Sequence, residues 1–585
     1  MRETSTMPTA PLRWLPALAL AALADDRPAG VNVAGVELVL VRTGDGVRAY
    51  EGRCPHQGTL LAEGEIRDGA LVCRAHQWRF DLAAGARRGG PECLRGYPVR
   101  IEAGQILVGL PIVEAAVATP PQALRTPAQL PGARGLPLLG NLFDVQRSAF
   151  HLTLEEGARR WGRLYRFRIG RRPMAVVADA ELANAILKAR PGEFRRSSQL
   201  ERVSILGVST HGVFMAEGER WRRQRPVVVQ SLDTGHLRQF FPTLLKVLDR
   251  LARRWQAVGG ESGGRDVQAD LMRFTVDVTA SLAFGQDINT LEEQGEVIQQ
   301  HLDKIFPTIQ RRLLAPFPYW RWLRLPGDRD LVRSVRHIYA TIAAFVAAAR
   351  ARLEAHPELR QQPENLLQSL LVAAAADPQF DEREIADNVL TMLLAGEDTT
   401  ANTLAWALYF LAGHPQVQER IAAELAAALP DGRLADFGQV RELAYIDAVI
   451  QETMRLKPVA PLNIVEANHD LDIGPLRLRK GDAVAILTRA IALAEPAFAE
   501  PQRFDPERWL RAGRREFNPH SFMPFGSGPR LCPGRSLALL EMKAVLAMVG
   551  VHFRVEPSCE LAQVREHLAF TMSPAGLRLR LRARS

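Results

Sequence analysis

The sequence predicts a multidomain chain: a small all-β domain followed by a mainly α domain. Three observations carry this. Residues 30–110 break into short apolar runs separated by turns. Residues 111–130 hold Pro111, Pro120, Pro121 and Pro127 among alanines and bury little, as a semi-rigid linker would. Beyond residue 131 the apolar pattern lengthens, and residues 381–414 contain no proline. At 585 residues the chain exceeds one ordinary domain. The expected divisions are 1–112, 113–130 and 131–585.

Taken in order, residues 14–24 superficially resemble a signal peptide. The leading charge is weak and Pro16 interrupts the apolar run, so a short edge segment and an Ala/Leu-rich turn are expected. Residues 31–41 alternate as a strand does and end at the turn residues Gly44, Asp45 and Gly46. Residues 47–50, 70–73 and 106–110 are further short strands. Residues 131–137 form a stiff Pro/Gly lead-in to the second domain. Asp381 and Glu384 have capping-box spacing, and Gly413, His414 and Pro415 stop the run that follows. A helix of about 30 residues there would span roughly 45 Å.

Composition excludes several classes. Hydrophobic content of 47% and charged content of 24% are those of a globular protein. A net charge of +9, spread along the chain, does not argue for nucleic acid. No run reaches the roughly 18–20 apolar residues of a membrane span, so no transmembrane segment is expected. Five cysteines, Cys54, Cys73, Cys93, Cys532 and Cys559, are too few for a disulfide framework. They point to a reducing, cytoplasmic setting.

Chemistry concentrates at two places. The first joins Cys54 and His56 to Cys73 and His76, with sixteen residues between His56 and Cys73. Two loops, each giving one Cys and one His, satisfy a 2Fe-2S cluster with two thiolates on one iron and two imidazoles on the other. This pattern resembles a Rieske iron-sulfur domain. Gln77 stands where that family usually has glycine. Thr59 and Arg74 replace the extra cysteines of its high-potential members, so the site resembles the ferredoxin and oxygenase branch. A structural zinc site is the competing reading, although zinc sites usually pair like ligands within a loop.

The second place is Cys532, set among Phe525, Gly526, Gly528, Arg530 and Gly534. It resembles the haem-thiolate loop of a cytochrome P-450, and four more motifs of that family follow in order. Trp221 and Arg225 sit one helical turn apart. Ala395, Gly396, Glu397, Asp398, Thr399 and Thr400 lie within the long helix. Glu452 and Arg455 precede Arg508. The resemblance implies a mainly α cytochrome P-450 fold with minor β-sheet, covering residues 131–585. It implies haem b with Cys532 as its thiolate ligand. Phe525 lies over the thiolate, and Trp221, Arg225 and Arg530 take the propionates. Asp398 and Thr399 deliver protons to dioxygen, against the plainer reading of Thr399 as a helix threonine bonded to a carbonyl. Glu452, Arg455 and Arg508 form a buried structural network rather than a surface pair. Many relatives carry a propionate arginine near Val465, Glu466 and Ala467. None occurs there, so anchoring is expected to rest on Trp221, Arg225 and Arg530 alone. Val213, Phe214, Leu394, Ala395, Val459 and Leu462 are the expected lining of an apolar pocket.

Together the two resemblances imply a monooxygenase. It inserts one oxygen atom from O2 into a small apolar substrate, with electrons relayed through the fused cluster. No glycine-rich nucleotide fingerprint follows a strand, so a separate NAD(P)H-dependent reductase is expected. Arg220, Arg222, Arg223 and Arg535 suggest a basic docking side near Cys532. A peroxygenase or haem isomerase and a redox or gas sensor are the alternatives. A Rieske non-haem oxygenase is disfavoured, because the remaining histidines include no close pair.

Overall fold

The computed structural model describes residues 12–584 except 26, 34, 35, 44, 45, 53, 55–59, 74–77, 89–92, 112–122, 171, 204–210, 258–263, 294–297, 303, 314, 316–318, 324, 496 and 512–517. The chain forms two compact units, Met1–Gln122 and Ala123–Ser585.

The first unit is built of small antiparallel sheets. Residues 14–24 do form an edge segment and a turn. Strand Leu12–Ala19 lies at the edge of a three-stranded sheet against Gln105–Pro111, and a 3-10 turn, Leu20–Ala22, follows. The run expected at 31–41 is two strands, Ala29–Val33 and Val36–Thr43, paired with each other. Val36–Thr43 is apolar on both faces. Leu38 and Leu40 join a core with Ile106 and Val108, while Val39 and Val41 join another with Cys54, Cys73 and Phe80. The two-residue period of a strand divides them this way.

Between the two cysteine loops lies a hairpin, Glu65–Arg67 with Ala70–Val72, extended by Arg79–Asp81. Asp68 and Gly69 both have positive φ, 51° and 68°, as a two-residue turn matched to strand twist requires. At Gly64 a Cβ would stand 2.2 Å from the Val72 carbonyl oxygen, so only glycine lets the loop pass.

The second unit is mostly helical. Its longest helix is Glu382–Gly413, as the capping residues and the proline-free run predict. Asp381 caps it by accepting from the Glu384 N–H at 2.7 Å. The return half of the capping box is missing. The Glu384 carboxylate instead takes Arg220 at 2.8 Å and Arg223 at 3.1 Å. Helix Arg535–His552 lies buried along most of its length. The minor sheet has five strands in the order Leu164–Ile169, Arg172–Val177, Ala483–Ile486, Asn463–Ala467 and Phe194–Arg196.

Helix Pro326–Ala355 is long and apolar enough, by length and composition, to cross a bilayer. Leu331, Val335, Ile338, Ile342, Phe345, Ala349 and Leu353 are its buried apolar residues, spaced three and four apart. That is the stripe of a helix packed by one face.

Candidate functional site: two thiolate centres

Cys532 follows a tight turn, Gly528–Arg530, and its N–H donates to the Phe525 carbonyl at 3.0 Å. Gly528 has φ of 71°, and a Cβ there would sit 2.7 Å from the Lys188 Cα. The glycines are therefore demanded by both conformation and close approach. Cys532 keeps accessible surface although protein surrounds it. Enclosure pushes its thiol pKa up. The Gly534 and Arg535 amides, with Arg225 and Arg535 as nearby cations, push it down. These are the groups that favour a thiolate once a metal offsets the burial.

Around the Cys532 loop guanidinium groups crowd together. Arg530 lies over the Trp221 ring at 4.5 Å, donates to the Ala216 carbonyl at 2.8 Å and pairs with Glu217. Its Nε and Nη1 are buried with no partner, as are Nε and Nη2 of Arg190. Burial lowers the Arg530 pKa to about 10. Arg196 also faces inward, with burial first and then Arg190 and Arg530 depressing its pKa. Arg225 donates to the Leu531 carbonyl. Guanidiniums remain charged in proteins, so these depressions register a site that wants an anion. Glu217 is the carboxylate that acts on Arg190, Arg196 and Arg530 alike. The propionates of a haem fit this set of donors.

Arg196 is a further buried guanidinium beside Arg530, outside the expected set of Trp221, Arg225 and Arg530. Strand Phe194–Arg196 pairs antiparallel with Asn463–Ala467 and sets Arg196 opposite Val465. The cation absent from one strand is present on its neighbour. No local signal in the sequence marks it, because the two positions meet only through sheet pairing.

The long helix opens on one face. Ala395 is exposed and Thr399 half-exposed, whereas Asp398 and Thr400 are buried. Positions four apart share a helix face, so Ala395 and Thr399 lie together on the accessible side of the helix. The Thr399 hydroxyl donates to the Ala395 carbonyl at 2.8 Å. Asp398 turns away from them. Its carboxylate accepts from Thr571 and, at 2.8 Å, from Asn402. Burial raises its pKa, and those two neutral donors offset the rise in part. Gly396 serves packing, since a Cβ there would meet Thr279 Oγ1 at 2.2 Å.

The expected apolar lining is not gathered in one cluster. Val213 and Leu394 belong to the main helical core and Leu462 packs against another. The Val459 carbonyl holds the Met572 N–H at 2.8 Å. Phe214 has the Arg196 guanidinium 3.5 Å from its ring centroid and meets Phe570 edge-on at 6.0 Å. Phe570 in turn stacks on Phe306 at 4.6 Å. Neither Phe570 nor Phe306 was identifiable from sequence.

Glu452, Arg455 and Arg508 are brought together. Arg455 makes a bidentate pair with Glu452, both distances 2.8 Å. Arg508 donates to the same carboxylate at 3.0 Å, as does Trp509. The expected basic docking side is weaker than its arginines suggest. Arg220 and Arg223 are held by Glu384, Arg222 by Glu219, and Arg535 is enclosed near Asp447.

In the first unit Cys54 and Cys73 are buried in one apolar cluster with Leu71 and Phe80. The Cys73 N–H donates to the Trp78 carbonyl at 2.9 Å, closing the second loop. No disulfide joins any of the five cysteines. Two neighbouring thiols at the ends of short loops fit one iron of a cluster. His56 and His76 lie outside the described residues.

Comparison with known proteins agrees over both units. The cytochrome P450 family model matches residues 130–580, and the Rieske [2Fe-2S] domain model matches residues 13–99. The chain is 26% identical over 447 residues to cytochrome P450 3A13 of Mus musculus, covering 74% of this chain and 86% of that protein. It is 30% identical over 480 residues to the mitochondrial 25-hydroxyvitamin D-1 alpha hydroxylase of Homo sapiens, covering 77% and 92%.

Proposed function

Because this chain belongs to the cytochrome P450 family and carries a Rieske [2Fe-2S] domain ahead of it, we propose a self-contained pairing of electron carrier and monooxygenase. The substrate is a small apolar organic molecule, and a separate NAD(P)H-dependent reductase supplies the electrons through the Rieske domain. One observation carries the reading: two distinct thiolate centres occur in one chain, Cys54 with Cys73 and Cys532. When bound, the 2Fe-2S cluster supplies one-electron transfer and the haem supplies oxygen activation at a thiolate-ligated iron.

The chain's own residues provide the rest. Cys54, His56, Cys73 and His76 would hold the cluster, and Cys532 the haem iron. The amides of Gly534 and Arg535 fix the Cys532 sulfur. Trp221, Arg225 and Arg530, joined by Arg190 and Arg196, would fix the propionates. Inserting one oxygen atom leaves the other as water, which consumes two electrons and two protons. Thr399 orients protons at its hydroxyl, and Asp398 is the nearby acid that supplies them. Phe214, Phe306 and Phe570 keep water from the apolar side.

His76→Ala tests the relay. The variant should fold and bind haem, while stopped-flow haem reduction by reductase and NAD(P)H falls at least tenfold, about 1.4 kcal/mol in barrier. Reduction at the wild-type rate would mean the reductase bypasses the cluster.

A further inference from the structure

The acid Asp398 is not tied to a cation. Its two oxygens are held by Thr571, on the turn between strands Arg565–Leu568 and Met572–Ala575, and by Asn402. Asn402 also donates to Thr571 Oγ1 at 3.3 Å and accepts from Gln268 at 2.8 Å. The turn is short. Leu568 and Met572 pair across the hairpin, and residues 569–571 close it. Both ends are anchored: the Leu568 N–H donates to the Ser148 carbonyl at 2.7 Å, and the Met572 N–H to the Val459 carbonyl at 2.8 Å.

Between the anchors the backbone is strained. Phe570 has φ of 96°, a region that bulky residues rarely occupy. Such a conformation persists only where its surroundings enforce it. Here the surroundings are the hairpin closure, with the Ala569 N–H donating to the Thr571 carbonyl at 3.0 Å, and two rings. Phe570 stacks on Phe306 at 4.6 Å and 2° and meets Phe214 edge-on at 6.0 Å. The helix carrying Phe306, Ile305–Leu313, also reaches the hairpin through Gln310, which donates to the Leu568 carbonyl. The residue that holds the acid and the residue that contacts the apolar rings are thus adjacent on one strained turn.

We propose that Thr571 is a positioning residue for Asp398, and that Phe570 makes this hold depend on what fills the apolar pocket. An apolar molecule that takes the place of Phe570 against Phe306 and Phe214 removes the side-chain contacts that help to hold the positive φ. The turn relaxes and the Thr571 hydroxyl leaves Asp398. The acid is then free to turn toward Thr399 only when a substrate is present. Without one it stays clamped, which limits wasted reduction of dioxygen. The proposal rests on the reading of Asp398 and Thr399 as the proton route.

Infrared difference spectra test it without turnover. The Asp398 carboxyl band is identified by its loss in Asp398→Asn. In the haem-loaded protein, 4-phenylimidazole, which carries an apolar ring into the pocket, should shift that band, and imidazole should not. Thr571→Val should show the shifted band with no ligand, and 4-phenylimidazole should add nothing. Thr571→Ser should restore the wild-type response. Phe570→Gly, which tolerates the positive φ without a ring, should abolish the response even if Thr571→Val fails to fold. A wild-type band that ignores 4-phenylimidazole, or one unmoved by Thr571→Val, overturns the proposal. The underlying reading fails separately, if Asp398→Asn leaves the peroxide released per NAD(P)H oxidised unchanged.

Discussion

Two buried clusters of arginine and glutamate in the second unit are built in opposite ways. Around Glu452, among the described residues, no arginine nitrogen stands buried without a partner. The five N–H groups of Arg455 reach the two Glu452 oxygens and the carbonyls of Ala492, Pro501 and Arg503. Around Glu217 the donors exceed the acceptors, and nitrogens of Arg190 and Arg530 stand buried without partners. A satisfied network needs nothing more and holds the fold. An unsatisfied one costs stability unless a ligand completes it. Sequence resemblance expects haem propionates at the second cluster, and its unpaired nitrogens call for an anion there.

The largest effect should come from breaking the satisfied network. Glu452→Gln leaves the fully buried Arg455, and Arg508 beside it, without that counter-charge. Removing one partner of a buried pair typically costs about 3–5 kcal/mol. Urea unfolding should show that loss, and added haem should not recover it. A variant as stable as wild type would mean that backbone carbonyls alone suffice for the arginines.

A third buried carboxyl extends the comparison, because no cation among the described residues is set against it. Glu541, on helix Arg535–His552, is enclosed, with Thr400 as its partner and Oε1 unpaired. Burial raises its pKa to about 8 from the model-peptide 4.5. Between those values the folded state holds one more proton than the unfolded state. Stability therefore falls as pH rises through this window, by up to about 1.4 kcal/mol per pH unit. Glu541→Gln stays neutral and should flatten the slope, so that the variant gains on wild type to reach roughly 2–4 kcal/mol near pH 8. Unfolding midpoints across that window decide it, and parallel slopes for the two proteins would show that Glu541 is not the titrating group.

What the sequence disclosed follows from distance along the chain. The Glu382–Gly413 helix was legible because its caps and its proline-free interior are local. The Glu452–Arg455 pair was legible because three residues make one helix turn. Cys54 and Cys73 were legible because their spacing encloses a single hairpin. Arg196 was hidden, because it meets Val465 only across a sheet. Thr571 and Phe570 were hidden for the same reason, since a hairpin near the C-terminus brings them to Asp398 and Phe306. Val213 and Leu394 pack in one core and Leu462 against another, so their common neighbourhood is set by tertiary packing rather than by local sequence.

Arg196 offers the smallest but most discriminating test of the two clusters. If it belonged to a satisfied network, its removal would destabilise the protein whether or not haem is bound. It stands instead with Arg190 and Arg530 around one shared carboxylate, and both cations depress its pKa. Arg196→Leu gives up a hydrogen bond to the Phe214 carbonyl and the ring contact with Phe214. It also relieves repulsion among like charges, so the two effects oppose each other in the haem-free protein. The change in haem-free stability should stay within about 1 kcal/mol. Haem binding loses a charge-assisted bond worth roughly 1.5–3 kcal/mol, so the dissociation constant should rise at least tenfold. Haem titration and urea unfolding of the same preparation separate the two effects. Equal losses in both would place Arg196 with the Glu452 kind of network and return the anchoring to Trp221, Arg225 and Arg530.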